Sequence, residues 1–243
     1  MDRQRGADGR GSLVLIEEVG ETRSTNDDVL ARARRGAPEG LWLRADRQSG
    51  GRGRQGRGWH SPAGNLYAST LVRLRAGDPP APTLALVAGV ALHETVSAFA
   101  PGQGIAIKWP NDLLAGQAKL AGILLEREED AVVIGTGVNL AHHPLDLGRA
   151  ATDLATLTGS APEPRTVLDV LADSFARWLG RWRGEGLGPI RARWLEAAHP
   201  IGTALTTSAG DGLFDGLDET GALRLRLADG SARVIHAGDV FLI

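Results

Sequence analysis

Residues 105–140 read IAIKWPNDLLAGQAKLAGILLEREEDAVVIGTGVNL, and this stretch does most to define the fold. Its first run, Ile105–Trp109, is β-prone and is closed by Pro110-Asn111-Asp112, a composition typical of turns. Two further runs, Leu120–Glu126 and Ala131–Leu140, are joined by a charged turn and predict a β-hairpin. The stretch therefore predicts three strands in the middle of the chain.

Outward from this stretch, predicted strands alternate with predicted helices. The capping side chains of Thr22–Asn26 predict the start of a helix, which continues to about Arg35. The other predicted elements are strands at Leu13–Val19, Leu41–Ala45 and Leu66–Leu74, and helices at about Thr83–Ala100, 152–158, 165–184 and 188–198. This mixture of helices and strands is typical of the α+β class.

One helical face carries four large apolar side chains, namely Phe175, Trp178, Leu179 and Trp182. Such a stripe is more typical of a buried core than of a platform for a ligand. We therefore expect these tryptophans to pack inside the protein.

The pattern changes after Pro200. Five short β-prone runs follow, with glycines in the turns between them, and this spacing predicts a small barrel. The runs are Thr203–Ser208, Leu213–Leu217, Ala222–Leu227, Ala232–His236 and Val240–Ile243. We predict a flexible tail at 1–11, a first domain at 12–199 and a second at 200–243.

Composition excludes several classes of function. The chain has 243 residues, with 27 basic and 29 acidic side chains, so it is not a polycation that coats nucleic acid. It contains no cysteine, which excludes disulfides, thiolate nucleophiles and cysteine-ligated metals. No run reaches the ~18 apolar residues of a membrane span, and the N-terminus lacks the apolar core of a secretory signal. A cytoplasmic protein with no membrane partner is expected.

Lysine is rare in this chain. Lys108 and Lys119 are its two lysines, against 25 arginines (27 basic residues minus 2). A lysine retained in such a chain indicates a place where a compact ammonium group is needed in place of a planar guanidinium. Chance is the alternative interpretation.

A stretch rich in glycine and arginine, residues 48–59, reads QSGGRGRQGRGW. Glycine lets the backbone approach a ligand closely, and guanidinium groups bind phosphate in bidentate fashion. The stretch lacks the G-K-[ST] ending of a P-loop and the strand–helix setting of a dinucleotide fold. It predicts a loop that orders around an anionic ligand, with a solvated linker or a single-stranded RNA contact as alternatives.

Four shorter motifs are further candidates for ligand contact. Lys108–Asp112 brings a lysine, an aromatic ring and a carboxylate to one turn, where Asp112 is suited to Mg²⁺ or to a basic group. Lys119–Ile123 places an ammonium group beside small residues, Gly135–Asn139 permits close approach of a flat ligand, and Ser24–Asn26 offers hydroxyls at a helix start. The alternatives are an ordinary turn, a strand-edge lysine that deters aggregation and plain helix capping.

In order and spacing, these motifs resemble those of the biotin–protein ligases, also called biotin–[acetyl-CoA-carboxylase] ligases. The resemblance covers about residues 13–195, and the five C-terminal runs fit the small SH3-like domain of that family. It implies a catalytic domain in which helices flank a mixed sheet. The motifs that carry it are Ser24–Asn26, Gly51–Trp59, Lys108–Asp112, Lys119–Gly122 and Gly135–Asn139.

The resemblance implies a role for each matched residue. The implied catalytic residues are Lys119, Arg54 and Arg57. The implied biotin contacts are Ser24, Thr25, Asn26, Gln48, Gly51, Arg52, Gly53, Arg54, Lys119 and Gly122. The implied nucleotide contacts are Arg54, Arg57, Trp59, Lys108, Asn111, Asp112 and Asn139, and Asp112 is also the implied metal ligand.

The implied reaction joins biotin to ATP as biotinyl-5′-AMP and then passes biotin to a lysine of a biotin carboxyl carrier domain. ATP and Mg²⁺ are the implied cofactors, and the cations offset the repulsion between a carboxylate and a phosphate. Some family members carry an N-terminal DNA-binding domain. About a dozen residues precede the first predicted strand here, so no DNA binding is expected, whereas a homodimer is possible.

Three other functions fit parts of the sequence. A lipoate–protein ligase or octanoyl transferase shares the fold, but its signature is missing and the transferases use a cysteine. An RNA-binding module would use the glycine–arginine stretch and the barrel. Such a module needs a basic surface and stacking aromatic side chains, whereas the chain has one Tyr, four Phe and a near-neutral charge. An SH3-like interaction protein would leave most of the chain unexplained.

Overall fold

A computed structural model describes residues 15–145 and 150–242, so the predicted tail at 1–11 lies outside the described residues. The first part of the chain contains seven strands and five helices. In chain order they are β1 Leu15–Thr22, α1 Thr25–Arg34, β2 Leu41–Gln48, β3 Leu66–Arg73, α2 Leu84–Phe99, β4 Ile105–Lys108, β5 Asp112–Ala115, β6 Ala118–Glu128, β7 Ala131–Val138, α3 Leu154–Thr158, α4 Pro164–Glu185 and α5 Leu187–Ala197.

The seven strands form one mixed sheet in the order β1-β2-β3-β7-β6-β5-β4. β1 and β2 run parallel, whereas the other neighbours are antiparallel. The stretch 105–140 supplies four strands and not three, because β5 follows the turn at 109–111 at once and pairs with both β4 and β6. Our prediction missed β5 because its four residues are too short a run to stand out from the turn.

The main core lies between one face of the sheet and helices α2, α4 and α5. The predicted burial of Phe175, Trp178 and Trp182 is confirmed. Trp182 Nε1 donates a hydrogen bond of 2.8 Å to Thr83 Oγ1, and the Phe175 ring stands edge-on to Trp42 with 5.8 Å between centroids. The helical segment Ala81–Phe99, which includes α2, has the length and apolar composition of a membrane span, but 67% of it is buried inside the protein, as is typical of a core helix.

Helix α1 packs on the opposite face of the sheet through Val29 and Ala33, which contact Leu43, Leu71 and Val133. Its N-cap is Ser24, whose side chain accepts a hydrogen bond from the backbone N–H of Asp27. This packing brings the start of α1 close to β6 and β7, and that position defines one wall of the site described below.

The C-terminal part forms a five-stranded antiparallel sheet in the order β11-β10-β9-β8-β12. Its strands are β8 Ala204–Thr207, β9 Gly210–Leu217, β10 Leu223–Arg226, β11 Ala232–Ile235 and β12 Val240–Leu242. The predicted boundary at 199/200 falls in the connection between α5 and β8. The small sheet contacts the large one directly, since Lys108 Nζ donates to Val240 O at 2.8 Å and Trp109 Nε1 donates to Gly221 O at 3.3 Å.

Candidate active site

A cleft opens between the large sheet, the start of α1, the glycine–arginine loop and β12. All of the sequence-predicted site residues line it except Gly51 and Asn139. The lining residues are Ser24, Thr25, Asn26, Gln48, Arg52, Gly53, Arg54, Arg57, Gly58, Trp59, Lys108, Pro110, Asn111, Asp112, Lys119, Gly122, Ile123, Leu124, Gly135, Thr136, Gly137, Asp239, Val240 and Phe241.

One end of the cleft is a buried polar network at the start of α1. The Thr25 backbone N–H and hydroxyl both point to Gln48 Oε1, at 2.8 and 3.1 Å. Gln48 Nε2 in turn donates to Ser61 Oγ. Ser69 on β3 lies within hydrogen-bonding distance of Thr25 Oγ1 and Asn26 Oδ1. The network fixes a set of hydroxyl and amide groups that can read the polar atoms of a small ligand.

Asn26 ties this network to the sheet. Its Nδ2 donates to Glu126 Oε2 at 2.7 Å. Its Oδ1 lies against β7, so that a Cβ atom on Gly135 would be 2.2 Å away from it. We expected Gly135 to admit a flat ligand, but in this structure it makes room for a side chain of the protein itself.

Arg52 anchors the glycine–arginine loop to α1. Its guanidinium makes a bidentate pair with Asp27 at 2.5 and 2.9 Å and reaches Glu126 at 3.5 Å. The hydrogen bonds from Arg52 lower the pKa of Asp27. In this structure the Arg52 guanidinium is thus held by two carboxylates of the protein.

Arg54 and Arg57 point to the other end of the cleft. Arg54 Nη1 donates to Asn111 Oδ1 at 3.4 Å, and Arg54 Nη2 donates to Gly238 O at 3.1 Å. Arg57 Nη2 pairs with Asp239 Oδ2, and this contact lowers the pKa of Asp239. Two guanidinium groups therefore meet at one place, which is the arrangement that binds a phosphate group.

Trp59 lies over the glycines of β6 and β7. A Cβ atom on Gly137 would be 2.6 Å from Trp59 Cε2, and one on Gly122 would be 3.1 Å from Trp59 Cζ3. Lys119 Nζ lies 5.3 Å from the centre of a Trp59 ring. Trp59 Nε1 is buried and has no hydrogen-bond partner within residues 15–145 and 150–242. The indole and the bare backbone below it form an apolar wall of the cleft.

The two lysines of the chain meet at one carboxylate. Lys119 Nζ lies 2.5 Å from Asp112 Oδ1, and Lys108 Nζ lies 3.5 Å from Asp112 Oδ2. All three side chains are nearly buried. Lys108 lies opposite Asp112 in the β4–β5 pairing. Gly122 lies opposite Asp112 in the β5–β6 pairing, and the Lys119 side chain reaches over Gly122, where a Cβ atom would be 3.2 Å from Lys119 Nζ. One negative charge is thus shared by two positive ones, which leaves an excess of positive charge in the cleft.

The two predicted residues outside the cleft have structural partners. Asn139 is buried, and its Nδ2 donates to Thr152 O at 3.0 Å. Gly51 is packed at the base of the loop, where a Cβ atom would be 2.7 Å from both Ser61 Oγ and Trp59 O. In this structure, therefore, Asn139 joins β7 to the segment before α3, and Gly51 allows the loop to close on itself.

Several residues of the site escaped the sequence analysis. Asp27 and Glu126 hold Arg52 and Asn26, and Ser69 completes the polar network. Asp239 and Phe241 enter the cleft from the small sheet. Ser24-Thr-Asn26 could have suggested Asp27 by proximity, but nothing in the local sequence distinguishes the other four from ordinary strand and turn residues.

The donor set does not form a magnesium cage. Within the described residues, no group of three or more His, Asp or Glu side chains is placed to share a metal ion. Both oxygens of Asp112, the predicted ligand, lie close to lysine ammonium groups. The residues of this cleft thus fit a magnesium ion that arrives on the phosphates of a nucleotide, and not one held by the protein alone.

Two family models match the chain. The Biotin/lipoate A/B protein ligase family matches residues 20–139, which include all of strands β2 to β7. The Biotin protein ligase C terminal domain matches residues 208–243.

Proteins and structures of known identity match over nearly the whole chain. A biotin–[acetyl-CoA-carboxylase] ligase from Paracoccus denitrificans is 40% identical, and the match covers 92% of this chain and 98% of that one. A protein of the same name from Mycobacterium tuberculosis is 34% identical, with 93% and 88% covered. A biotin protein ligase from Aquifex aeolicus, solved in complex with biotin and ATP, shares the fold with a TM-score of 0.85 at 24% identity, over 95% of this chain and 100% of that one.

Proposed function

Because this chain belongs to the biotin protein ligases, within the biotin/lipoate A/B protein ligase family, we propose that it is a biotin–[acetyl-CoA-carboxylase] ligase. It activates biotin with ATP to biotinyl-5′-AMP and transfers biotin to a lysine of the carboxylase. The observation that carries this function is the meeting, in one cleft, of a buried polar network at the start of α1 with the lysines and loop arginines.

The polar network is the biotin end of the cleft in this proposal. Thr25, Asn26 and Gln48 present hydroxyl and amide groups that suit the ureido ring, and the Trp59 wall suits the apolar part of the ligand. Arg52 and Asp27 hold the loop against α1, so the pocket wall is fixed by a bidentate ion pair.

The first step joins two anions. A carboxylate oxygen of biotin attacks the α-phosphorus of ATP, and the bond to the β-phosphate oxygen breaks to release pyrophosphate. The ammonium groups of Lys119 and Lys108 and the guanidinium groups of Arg54 and Arg57 offset the repulsion and stabilise the charge that grows in the transition state. Magnesium, when bound together with ATP, would supply further positive charge.

The second step needs no covalent link to the protein. The neutral amine of an acceptor lysine attacks the acyl carbon of the mixed anhydride, AMP leaves with the electrons of the broken C–O bond, and the new amide nitrogen gives up one proton to solvent. An acyl adenylate reacts with water, so a loop that covers it protects the intermediate until the acceptor arrives. Arg54 and Arg57 are placed for this because their guanidinium groups lie in the cleft, where the phosphate of the adenylate would bind them and hold the loop.

The acceptor in this proposal is the biotin carboxyl carrier domain of acetyl-CoA carboxylase, in the cytoplasm. The names of the relatives support the carboxylase as the target. Homodimer formation, the absence of DNA binding, the domain boundary near residue 199 and the individual residue roles all stay predictions.

ATP–pyrophosphate exchange tests the function. Purified protein is incubated with MgATP and labelled pyrophosphate, with biotin, lipoate or octanoate in separate reactions. We expect exchange with biotin alone, followed by transfer of biotin to an added carrier domain. Exchange with lipoate or octanoate would identify that acid as the substrate in place of biotin. A folded sample without exchange in any of the reactions would refute ligase activity.

A further inference from the structure

Each of the three arginines of the glycine–arginine loop has a carboxylate partner, but the partners belong to different parts of the fold. Arg52 pairs with Asp27 of α1 and Glu126 of β6, both in the large domain. Arg54 and Arg57 instead reach Asp239, which directly precedes β12 of the small sheet. The ion pairs of Arg52 therefore stay within the first part of the chain, whereas the ion pairs with Asp239 join the glycine–arginine loop to the small sheet.

The segment around Asp239 contacts several positively charged side chains of the cleft. Arg57 pairs with Asp239 Oδ2, and Arg54 Nη1 lies 3.9 Å from Asp239 Oδ1. The neighbouring carbonyl groups accept from the same side, since Arg54 donates to Gly238 O at 3.1 Å and Lys108 donates to Val240 O at 2.8 Å. Three basic side chains from the first part of the chain therefore bind residues 238–240, at the start of β12 in the small sheet.

A carboxylate held by two guanidinium groups has the same partners that a phosphate group needs. We propose that Asp239 is a positioning residue that determines the affinity for nucleotide: its carboxylate occupies Arg54 and Arg57, latches the loop to the small sheet, and is displaced by the phosphates of ATP. This inference rests on the proposed function for the identity of the anion. The latch itself rests on the ion pairs alone.

Displacement has a definite sign. The free protein divides between a latched state and an open state, and phosphate binds the open state. The apparent dissociation constant is therefore the intrinsic constant divided by the open fraction, and it rises as the latched state becomes more populated. Removing the charge of Asp239 depopulates the latched state and leaves the arginines intact. Pyrophosphate must then bind more tightly, and the free loop must open more often.

The test measures binding of magnesium pyrophosphate by calorimetry, without biotin, to the wild type and three variants. Asp239→Asn is expected to bind about two- to fivefold more tightly, in keeping with the small free energy of a partly exposed pair. Asp239→Glu keeps the charge and should stay near the wild type. Asp215→Asn is the matched control, because Asp215 pairs with Arg224 at 2.8 Å within the small sheet, outside the cleft.

Limited trypsin digestion gives the second measurement, with cleavage after Arg54 and Arg57 followed by mass spectrometry. Free Asp239→Asn should be cut there faster than the wild type, and saturating magnesium pyrophosphate should protect both. A merely structural role predicts a different result, with weaker binding and cleavage that the ligand does not suppress. Unchanged or weaker pyrophosphate binding by Asp239→Asn would overturn the latch.

The inference and the proposed function fail in different ways. If the wild type does not exchange pyrophosphate with biotin, the ligase function is refuted, whatever Asp239 does. If wild-type exchange is intact, steady-state kinetics decide the latch. Asp239→Asn should then lower KM for ATP and leave KM for biotin unchanged, and a rise in both constants would again overturn the inference.

Discussion

At the scale of single residues, the cleft depends on a few charged side chains that pair with one another in the free protein and would also pair with the ligand. Asp112 is nearly buried between Lys108 and Lys119, so the pair with Lys119 at 2.5 Å is shielded from water. Lys108 stays beside Asp112 when Lys119 is removed, so the carboxylate keeps a partner, whereas losing Asp112 would take the shared carboxylate from both ammonium groups. A test of Lys119 must therefore separate its chemical role from its structural one.

Lys119→Ala is expected to reduce biotin-dependent pyrophosphate exchange by about a hundred- to a thousandfold, the typical effect of losing one group that stabilises transition-state charge. The fold should lose little stability, because Lys108 still neutralises Asp112 in this variant. Urea unfolding checks that the variant stays folded, and Asp112→Asn, which takes the shared carboxylate from both lysines, should be the less stable of the two variants. Exchange within tenfold of the wild type in Lys119→Ala would remove Lys119 from the chemistry.

Gly137 provides the space for Trp59. A methyl group there would lie 2.6 Å from the indole, so Gly137→Ala must displace the ring. Overpacking of this kind costs about 1–3 kcal/mol. We expect a lower melting temperature and weaker biotin binding by calorimetry. Gly20→Ala, also in a strand but with open space around it, is the control, and equal behaviour of the two variants would disprove the explanation.

Much of the site could be predicted from motifs, because Ser24–Asn26, Gln48 and Lys119 belong to stretches of unusual composition. Their partners could not. Glu126 and Asp239 are ordinary acids in a chain with 29 of them, and their importance comes from tertiary pairing with loop arginines far away in sequence. Local sequence carries no record of such pairs.

At the scale of elements, the glycine–arginine loop is fixed at its first arginine. Arg52 reaches Asp27 through two hydrogen bonds, a geometry that lysine cannot reproduce. Arg52→Lys should therefore loosen the loop and raise KM for biotin by about five- to tenfold, with a smaller change in kcat.

The matched control for Arg52→Lys is Arg34→Lys. Arg34 also makes a bidentate pair, with Glu128, but on the surface and outside the cleft. It should leave both constants unchanged. If the two variants had the same kinetics, the clamp would be irrelevant to biotin binding.

The strands and helices were predictable wherever an apolar run was long, as in α2, α4 and β7. β5 was not, because strand pairing on both sides defines its four residues. The pattern of five short runs after Pro200 predicted a separate β unit. It gave no sign that β12 would lie against the cleft of the first domain.

At the scale of the whole molecule, the two sheets meet around His199. Its Nε2 is buried, with no hydrogen-bond partner in the described part of the chain, and Trp194, Phe214 and Val240 line the same small space. Burial lowers the pKa of His199, and the nearby charge of Lys108 lowers it further. The folded protein therefore binds a proton at His199 less readily than the unfolded chain, in which histidine titrates near pH 6.5.

Folding stability must then fall as pH drops from 7.5 to 5.5, because the unfolded state binds more protons. His93, whose pKa burial also lowers, acts in the same direction. Carboxylates with lowered pKa values lose their contribution only below about pH 4.5. Urea unfolding at the two pH values should show that His199→Gln reduces the loss by about 1 kcal/mol.

Exposed His60 is the control position, and His60→Gln should keep the wild-type pH dependence. If His199→Gln and the wild type lose the same stability between pH 7.5 and 5.5, burial of His199 between the two sheets does not cause the pH dependence. Far-UV circular dichroism at both pH values checks that each protein starts folded.

The scarcity of lysine has a consequence for a protein that produces an acylating agent. Its two lysine side chains are only 13% and 12% exposed and share Asp112, so almost no side-chain amine on its own surface can react with the acyl adenylate. Arginine keeps the surface charged without offering a nucleophile. Such an enzyme should be spared self-labelling during turnover, and for the same reason it will couple poorly to amine-reactive dyes and resins.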